Sequence, residues 1–577
     1  MKKRKGITGR VLLVAVIATM LAATACSSNS GNKGGDNASP QNSASGPAVS
    51  SESATPNTEA DPFGKYDPAI IVNTAVNVSP STKYAPGESP ESNVWTKEFE
   101  KDLGIKLKFS WSVPSEQWND KINVAIASND LPDMIMVNDS QMKQLVESDA
   151  IADLTEAYNK FASPLLKKYM QSYEGKVLGA ATFDGKIMGI PPLAPVVGQS
   201  LMVWIRKDWL DNLGQPDPAS FDDILRIAEA FTTSDPDGNG KPDTFGIGIN
   251  KDTVKSLAGF MSAYNAYPTY WLKTADGKLA YGSIQPETKA ALTELQQLYK
   301  DGVVDKEFGV KDAAKMNEDV AAGKFGILFG NQSTPISPLT GSLKNDPNAN
   351  WLPYPITTID GSPYRTPLNA KPSSFLVAKK GVKNPEVVVK AANLYIEKFY
   401  GEHATADDYN RLKIAQVDDG KGGKMKIETF LYAPVRVENP DKAIAAYQHV
   451  NQALSDGKTD ILTVEEQDYY DAVKKYMESK DVDSWGYYRI YGPAPSSYSV
   501  ISDYYVKNNS FVYNEFTGAA TDTMSQKKST LDKMEAEVFT QIIMGESLDK
   551  FDKFVSDWKS LGGEQIASEV NEWYAKQ

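Results

Sequence analysis

The stretch from residue 105 to 137 limits the fold most sharply. Ile105-Lys106-Leu107-Lys108-Phe109 alternates apolar and polar side chains, as a half-buried strand does. From Gln117 to Ser128 the apolar residues Trp118, Ile122, Ala125 and Ile126 recur at the helical period. The turn Asn129-Asp130-Leu131-Pro132-Asp133 then leads into Met134-Ile135-Met136-Val137, a short apolar run that reads as a buried strand. Strand, helix and strand in that order form the unit of a parallel sheet.

The alternation continues. Leu201 to Ile205 is a strand pattern. Phe221 to Thr232 is helical, with Ser220 placed as N-cap and Asp222-Asp223 in the first turn. Pro286 opens a helix through Tyr299, which Gly302 ends. Phe325 to Phe329 and Ser374 to Ala378 are further buried strands. The chain closes in three helices, Ser529–Met544, Leu548–Leu561 and Glu564–Lys576, with Gly562-Gly563 between the last two. No short internal repeat is visible. The class is α/β.

The first residues set the compartment. Lys2, Lys3, Arg4, Lys5 and Arg10 precede an apolar run from Val11 to Ala25. At about fifteen residues it is short of the roughly twenty a spanning helix needs, so residues 1–25 read as an export signal. Cys26, the single cysteine, stands where such a signal is cut and has no internal disulfide partner. The box resembles a lipoprotein signal, with Cys26 lipidated and two acyl chains holding the chain to the membrane. Residues 26–62 are rich in Ser, Asn, Gly, Ala and Pro and read as a disordered tether. What remains is long enough for two domains with full cores.

The net charge is −13. Removing residues 1–25 takes away five positive charges and no negative one, leaving −18. Such a chain repels nucleic acid and anionic lipid, which disfavours both as partners. The 28 Tyr and 10 Trp are ample for a core and leave some to line a carbohydrate site.

Several phrases resemble family 1 extracellular solute-binding proteins of ABC importers, and are similar to alginate-binding periplasmic proteins. They are Asn129-Asp130-Leu131-Pro132-Asp133; Asp184-Gly185-Lys186 with Gly189-Ile190-Pro191; and Arg206-Lys207-Asp208-Trp209-Leu210 with Leu213-Gly214. Trp271-Leu272-Lys273, Asp276-Gly277-Lys278 and Ile284-Gln285-Pro286-Glu287 follow, and Gly562-Gly563 before Trp573-Tyr574 completes the set. The resemblance implies a two-lobed periplasmic-binding-protein-like fold of type 2, with discontinuous lobes on mostly parallel sheets, a hinge and a helical C-terminus. It places the N-terminal lobe at 63–198 plus about 368–440, and the C-terminal lobe at 199–367 plus about 441–577. It also implies a monomer on the extracellular face of a Gram-positive cell membrane. There it would bind an oligosaccharide by hinge closure and pass it to the importer's membrane subunits.

Asp235-Pro236-Asp237-Gly238-Asn239-Gly240-Lys241-Pro242-Asp243 is the sharpest local motif. Oxygen ligands at 235, 237, 239 and 243 suit Ca²⁺, and the glycines permit the turn. The twelfth position, where an EF-hand has a bidentate Glu, is Gly246. The alginate-binding resemblance adds the main-chain oxygen of Lys241 as a ligand and a structural role for the ion. The residue after Asp243 is Thr244, where those relatives have a second acid. An Asp/Gly-rich surface turn is the plainer reading.

For a sugar, aromatic rings stack on C–H faces while amides and charged groups bond hydroxyls. Trp271, with Tyr270 beside it, is the first candidate, and its place matches a stacking tryptophan of the alginate-binding relatives. Trp485 with Tyr487 is the second, because a glycine among aromatics suggests an exposed loop. Asn138 and Asp139 directly follow a strand. Trp204 and Arg206 complete the set. Against an enzyme, the two histidines, His403 and His449, sit in no metal or catalytic motif, and Ser525-Gln526-Lys527-Lys528 is a chance Ser-x-x-Lys. A glycoside hydrolase or lyase, needing only paired carboxylates, stays open, as does a peptide-binding transport lipoprotein.

Overall fold

The computed structural model describes residues 61–418 and 423–577. Residues 1–25 (read as an export signal), Cys26 and nearly all of the segment read as a tether lie outside the described residues.

β1 (Ile70–Val78) runs parallel to β2 (Ile105–Pro114), with Ile70 opposite Ile105. α1 (Trp118–Ala127) turns Ile122 and Ala125 into the core and leads to β3 (Met134–Asn138). β1 lies against both β2 and β3, so a further strand is set into the strand–helix–strand unit read from the sequence. α2 (Asp139–Glu147) starts where β3 stops. Asn138 caps it by accepting from the Gln141 N–H, while the Gln141 side chain accepts from the Asn138 N–H.

A first crossing at residues 192–200 carries the chain into the second lobe. There β4 (Met202–Arg206) is buried along its whole length. α3 (Phe221–Thr233) has Ser220 as N-cap and Asp223 closing the box, and it buries Phe221, Ile224, Ile227, Ala228 and Phe231. β5 (Phe245–Ile247) follows, then the hairpin of β6 (Trp271–Lys273) and β7 (Leu279–Tyr281), and α4 (Pro286–Lys300). β8 (Phe325–Gly330) and β9 (Trp351–Tyr354) complete a four-stranded sheet of order β9-β4-β8-β5.

β10 (Thr366–Leu368) lies on the second crossing, and β11 (Ser374–Ala378) returns to the first lobe, followed by the buried α5 (Val387–Tyr400). The third crossing runs beside the first, where Leu193 bridges Val437 in parallel. α6 (Lys442–Asp456), α7 (Val464–Ser479) and α8 (Val482–Tyr491) then pack on the second lobe. β12 (Phe511–Tyr513) pairs in parallel with β10. α9 (Asp522–Ile543), α10 (Asp549–Trp558) and α11 (Glu564–Tyr574) end the chain. Between the last two, Gly562 adopts φ +129, which side-chain-bearing residues rarely do.

The sheets are mixed rather than mostly parallel. β4 is antiparallel to both neighbours, and β11 is antiparallel to β3. Each is the first strand after a crossing. A parallel strand would need a long return over the sheet, whereas a short crossing enters from the end where its neighbours finish. Thus Ser374 lies opposite Asn138 and Met202 opposite Gly330. Both lobes thereby turn the carboxyl ends of β3 and β8 toward the crossings.

The buried apolar side chains separate accordingly. One core draws on residues 197–364 and 446–570, and two others draw on 72–193 and 375–437. A small cluster of Val196, Leu368 and Ala370 sits on the crossings themselves, packed by Tyr173, Phe511 and Tyr513. Each lobe is therefore built from separate stretches of chain.

Candidate ligand-binding cleft

In open α/β sheets, ligands settle beyond the carboxyl ends of strands. A cavity of about 540 Å³ opens there in the first lobe, at the ends of β1 and β3 and beside the crossing residues Pro192 and Ser374. Its apolar wall includes Phe109, the half-buried Trp118, and Tyr84 stacked on Tyr432 at 4.7 Å and 15°. Its polar wall includes Asn77, Asn119 and Asn138, and Asn138 Nδ2 donates to Asn119 Oδ1 at 3.1 Å. Arg436 stands at its edge.

A second cavity of about 550 Å³ adjoins it at the crossings and shares Pro192, Ser374 and Arg436. Its floor is a buried charge network. Lys413 pairs with Glu438, which also accepts from the Tyr395 and Tyr400 hydroxyls. Lys442 holds Glu465 at 2.7 Å, and Glu465 accepts from Tyr409 at 2.8 Å and Tyr469 at 2.6 Å. Burial works against the Glu438 carboxylate, but Lys413 and Lys442 overcome it and pull the group down to about 2. These acids are therefore ionised and fully engaged at neutral pH.

The structure places the sequence candidates unevenly. Asn138 lines the cleft, whereas Asp139, next to it, pairs with Lys371 on the second crossing at 2.7 Å. Trp271 is 4 % exposed and lies in β6, with its ring 5.2 Å from Tyr281. It lines a smaller cavity of about 200 Å³ with Phe516, Trp558 and Lys371. Tyr270, beside it, is half-buried. Trp485 is a correction: it lies on α8, not in an exposed loop, and is 1 % exposed. The glycine that suggested a loop, Gly486, instead lets the helix approach Ile336. Tyr487, on the same helix, is exposed and stacks on Tyr469 at 5.8 Å.

Trp204 and Arg206 are corrections too. Trp204 is fully buried in β4. The Arg206 guanidinium is closed by Asp208 at 2.6 Å and Asp346 at 2.9 Å, and lies 4.7 Å from the Trp209 ring. Neither presents a polar group to the cleft. Sequence reasoning missed Tyr84, Trp118, Tyr432 and Arg436. Trp118 fits the apolar stripe of α1, and that periodicity does not mark it as a cavity residue. Its position at the first turn, directly after β2, was the signal for a strand-end residue.

Two ion pairs tie the lobes together, Lys143–Asp522 at 2.6 Å and Lys176–Glu515 at 3.0 Å, and Asp139–Lys371 ties the first lobe to the second crossing.

The 235–243 loop is tightly folded around Asn239. The Asn239 amide donates to Asp237 at 2.8 Å and Asp243 at 3.1 Å, while Asp235 accepts from the Gly240 N–H at 3.0 Å. Asp235 itself takes a positive φ of 49°. Partial burial and the facing carboxylates Asp235 and Asp243 raise Asp237 above the usual carboxylate range, despite a hydrogen bond from the Asn239 N–H. The charges converge, although no group of three acids among the described residues is close enough to chelate an ion unaided.

Comparison with known proteins agrees with this architecture. The model of the family described as bacterial extracellular solute-binding protein matches residues 85–425. Lipoprotein LipO of Bacillus subtilis is 27 % identical over 511 residues, covering 85 % of this chain and 91 % of that one. The polygalacturonan/rhamnogalacturonan-binding protein YtcQ of the same species is 31 % identical over 247 residues, covering 42 % and 48 %. The substrate-binding protein FusA of Streptococcus pneumoniae, solved in complex with kestose, superposes with a TM-score of 0.53 at 17 % identity, covering 88 % of this chain and 99 % of that one. With two lobes, a three-segment hinge and a cavity at the strand ends, the chain belongs to the bacterial extracellular solute-binding protein family and is a solute-binding component of ABC import.

Proposed function

We propose that the solute is an oligosaccharide, held between the lobes as they close about the crossings and then delivered to the importer's membrane subunits. The observation that carries this is the cavity of about 540 Å³, lined by Trp118 and the Tyr84–Tyr432 pair together with Asn77, Asn119 and Asn138. Stacking surface beside amide donors and acceptors suits a ring of hydroxyls with apolar faces. The names of YtcQ, a polygalacturonan/rhamnogalacturonan-binding protein, and FusA, a fructooligosaccharide transporter's substrate-binding protein, support a carbohydrate ligand. Thermal unfolding against a panel of oligosaccharides tests it, since a ligand that binds only the folded state raises Tm. Recovery of the sugar intact supports transport. Cleaved product in the same tubes makes the protein a carbohydrate-active enzyme, and a shift with peptides alone refutes the sugar.

The name of LipO supports a lipid on Cys26 and an anchor at the outer face of the membrane. Labelling of the cell-grown protein with a fatty acid, lost in Cys26→Ser, is the check. Asp235, Asp237, Asn239 and Asp243, with the Lys241 main-chain oxygen, would hold a structural Ca²⁺. The ion would supply the positive charge that offsets the repulsion among these carboxylates, which the neutral Asn239 amide only bridges by hydrogen bonds.

A further inference from the structure

We propose that the oligosaccharide selected here bears a carboxylate, and that Arg436 is the side chain that reads it. The proposal rests on the oligosaccharide reading above and narrows it.

Among the described residues lining the strand-end cavity, Arg436 is the one charged side chain. The rest of the lining is aromatic, aliphatic, hydroxyl or amide, and none of it is acidic. Among the other described arginines, Arg206 closes on Asp208 and Asp346, Arg226 on Asp223, and Arg411 on Glu98 and Asp408, while Arg365 closes on no carboxylate and Arg489 donates to the Pro495 carbonyl and the Asn350 side chain. Arg436 closes on none among the described residues, and its guanidinium lies 5.7 Å from the Phe430 ring. Yet the chain holds 74 acids against 61 bases. What sets Arg436 apart is its place at the edge of a cavity with no other charged lining.

The backbone makes the placement firm. Arg436 belongs to the third crossing, and its carbonyl accepts from the Leu193 N–H of the first at 3.0 Å. The residue is thereby fixed on the hinge, and it lines both cavities at their shared seam. The nearby acids Glu438 and Glu465 are already held by Lys413 and Lys442 and do not serve as partners. Glu428 lines the hinge cavity and is the one acid there outside that network.

With the lobes apart, water satisfies the five donors of Arg436. Closure on a ligand expels that water. A neutral sugar then leaves a desolvated cation unpaired, which is costly. A carboxylate on the sugar matches the guanidinium fork with two parallel hydrogen bonds. Selectivity arises as much from the penalty against the neutral ligand as from the new contact. The net negative charge of the whole chain does not oppose this, because exposed charges more than about 10 Å away are screened at ordinary salt.

The test uses the full chain with matched probes: trigalacturonate and trimannuronate, each against its fully methyl-esterified form. Calorimetric titration is expected to show at least one acid binding about ten-fold or more tighter than its ester, a difference of about 1.4 kcal/mol. In Arg436→Gln the ratio falls to about two-fold or less with the melting temperature of the free protein unchanged. Arg436→Lys keeps part of the preference, and added salt weakens the acid more than the ester. Equal affinity for acid and ester overturns the proposal while leaving sugar capture intact. So does an equal loss for both in Arg436→Gln, which marks a structural residue. Tighter acid binding in Glu428→Gln alone, with Arg436→Gln silent, overturns it as well. Failure of every oligosaccharide, neutral or acidic, overturns the capture reading together with this one.

Discussion

Lys143 and Asp522 join the two lobes, with the ammonium nitrogen 2.6 Å from the carboxylate. Lys143 stands on α2 of the first lobe, and Asp522 opens α9 on the second. Partial burial works against the lysine's charge, but Asp522, Glu147 and Glu569 outweigh it and raise the group above its usual range. The aspartate side chain is 84 % exposed, so water weakens the pair. A weak bond across a cleft that must reopen is what repeated capture and release needs.

A double-mutant cycle of Lys143→Ala and Asp522→Ala, read in ligand affinity, is therefore expected to give a coupling of about 0.2–1 kcal/mol. The coupling should fade as salt rises. Small-angle scattering should show a larger radius of gyration in Lys143→Ala at low salt. A coupling above about 2 kcal/mol would mean that the pair acts in a far drier setting than its exposure indicates.

The aromatic residues should divide by location. Trp118→Ala is expected to weaken oligosaccharide binding about ten-fold or more and to leave the melting temperature nearly unchanged, because the ring lines the cavity and is only half-buried. Trp485→Ala should lower stability by about 3–5 kcal/mol, since it empties a site 1 % exposed. Denaturant unfolding beside titration separates the two. A Trp485→Ala protein that is fully stable but unable to bind would return that residue to the ligand.

Glu535 should make the protein less stable as pH rises. It is 1 % exposed, accepts from Ser283 at 2.8 Å and Tyr281 at 3.2 Å, and burial pushes its carboxyl from 4.5 up to about 7. The native state then holds a proton that the unfolded chain releases. The stability this lends is full below about 4.5 and is lost as pH climbs through about 7, on the order of 3 kcal/mol in all. Glu535→Gln should flatten that slope in denaturant melts at pH 5, 6, 7 and 8. A slope unchanged in the variant would assign it to other groups.

Calcium should stabilise the chain through the 235–243 loop. At a hundred times its dissociation constant, the ion is expected to add about 2.7 kcal/mol. EDTA should lower the melting temperature and calcium restore it. Asp237→Asn relieves the repulsion with Asp235 and Asp243, so it should melt higher than the parent in EDTA and gain less from calcium. An identical calcium response in the variant would remove Asp237 from the site.

Much of the architecture was legible from local pattern. Ser374–Ala378 was read to the residue, and Ser220 caps α3 as expected, because a five-residue apolar run and a serine before two aspartates carry their information in sequence neighbours. Asn138 and Asp139 were also legible, since a polar pair after a buried strand falls at a strand end wherever the strand goes. Trp485 and Trp204 were not, because an aromatic side chain looks the same in a core as in a binding wall. Which of the two it joins depends on what packs over it, and for Trp485 that is Ile336 and its neighbours, far away in sequence.

The sequence by itself determined the α/β class, most of the buried strands, the capped helices and the acidic loop, because these follow from periodicity and short-range hydrogen bonding. Only the tertiary structure decided which strands run antiparallel, that Tyr84 and Tyr432 stack across 348 residues of chain, and that Arg436 stands without a carboxylate beside a neutral cavity. Those outcomes come from three crossings that bring distant segments to one seam, and no local pattern records which segments meet there.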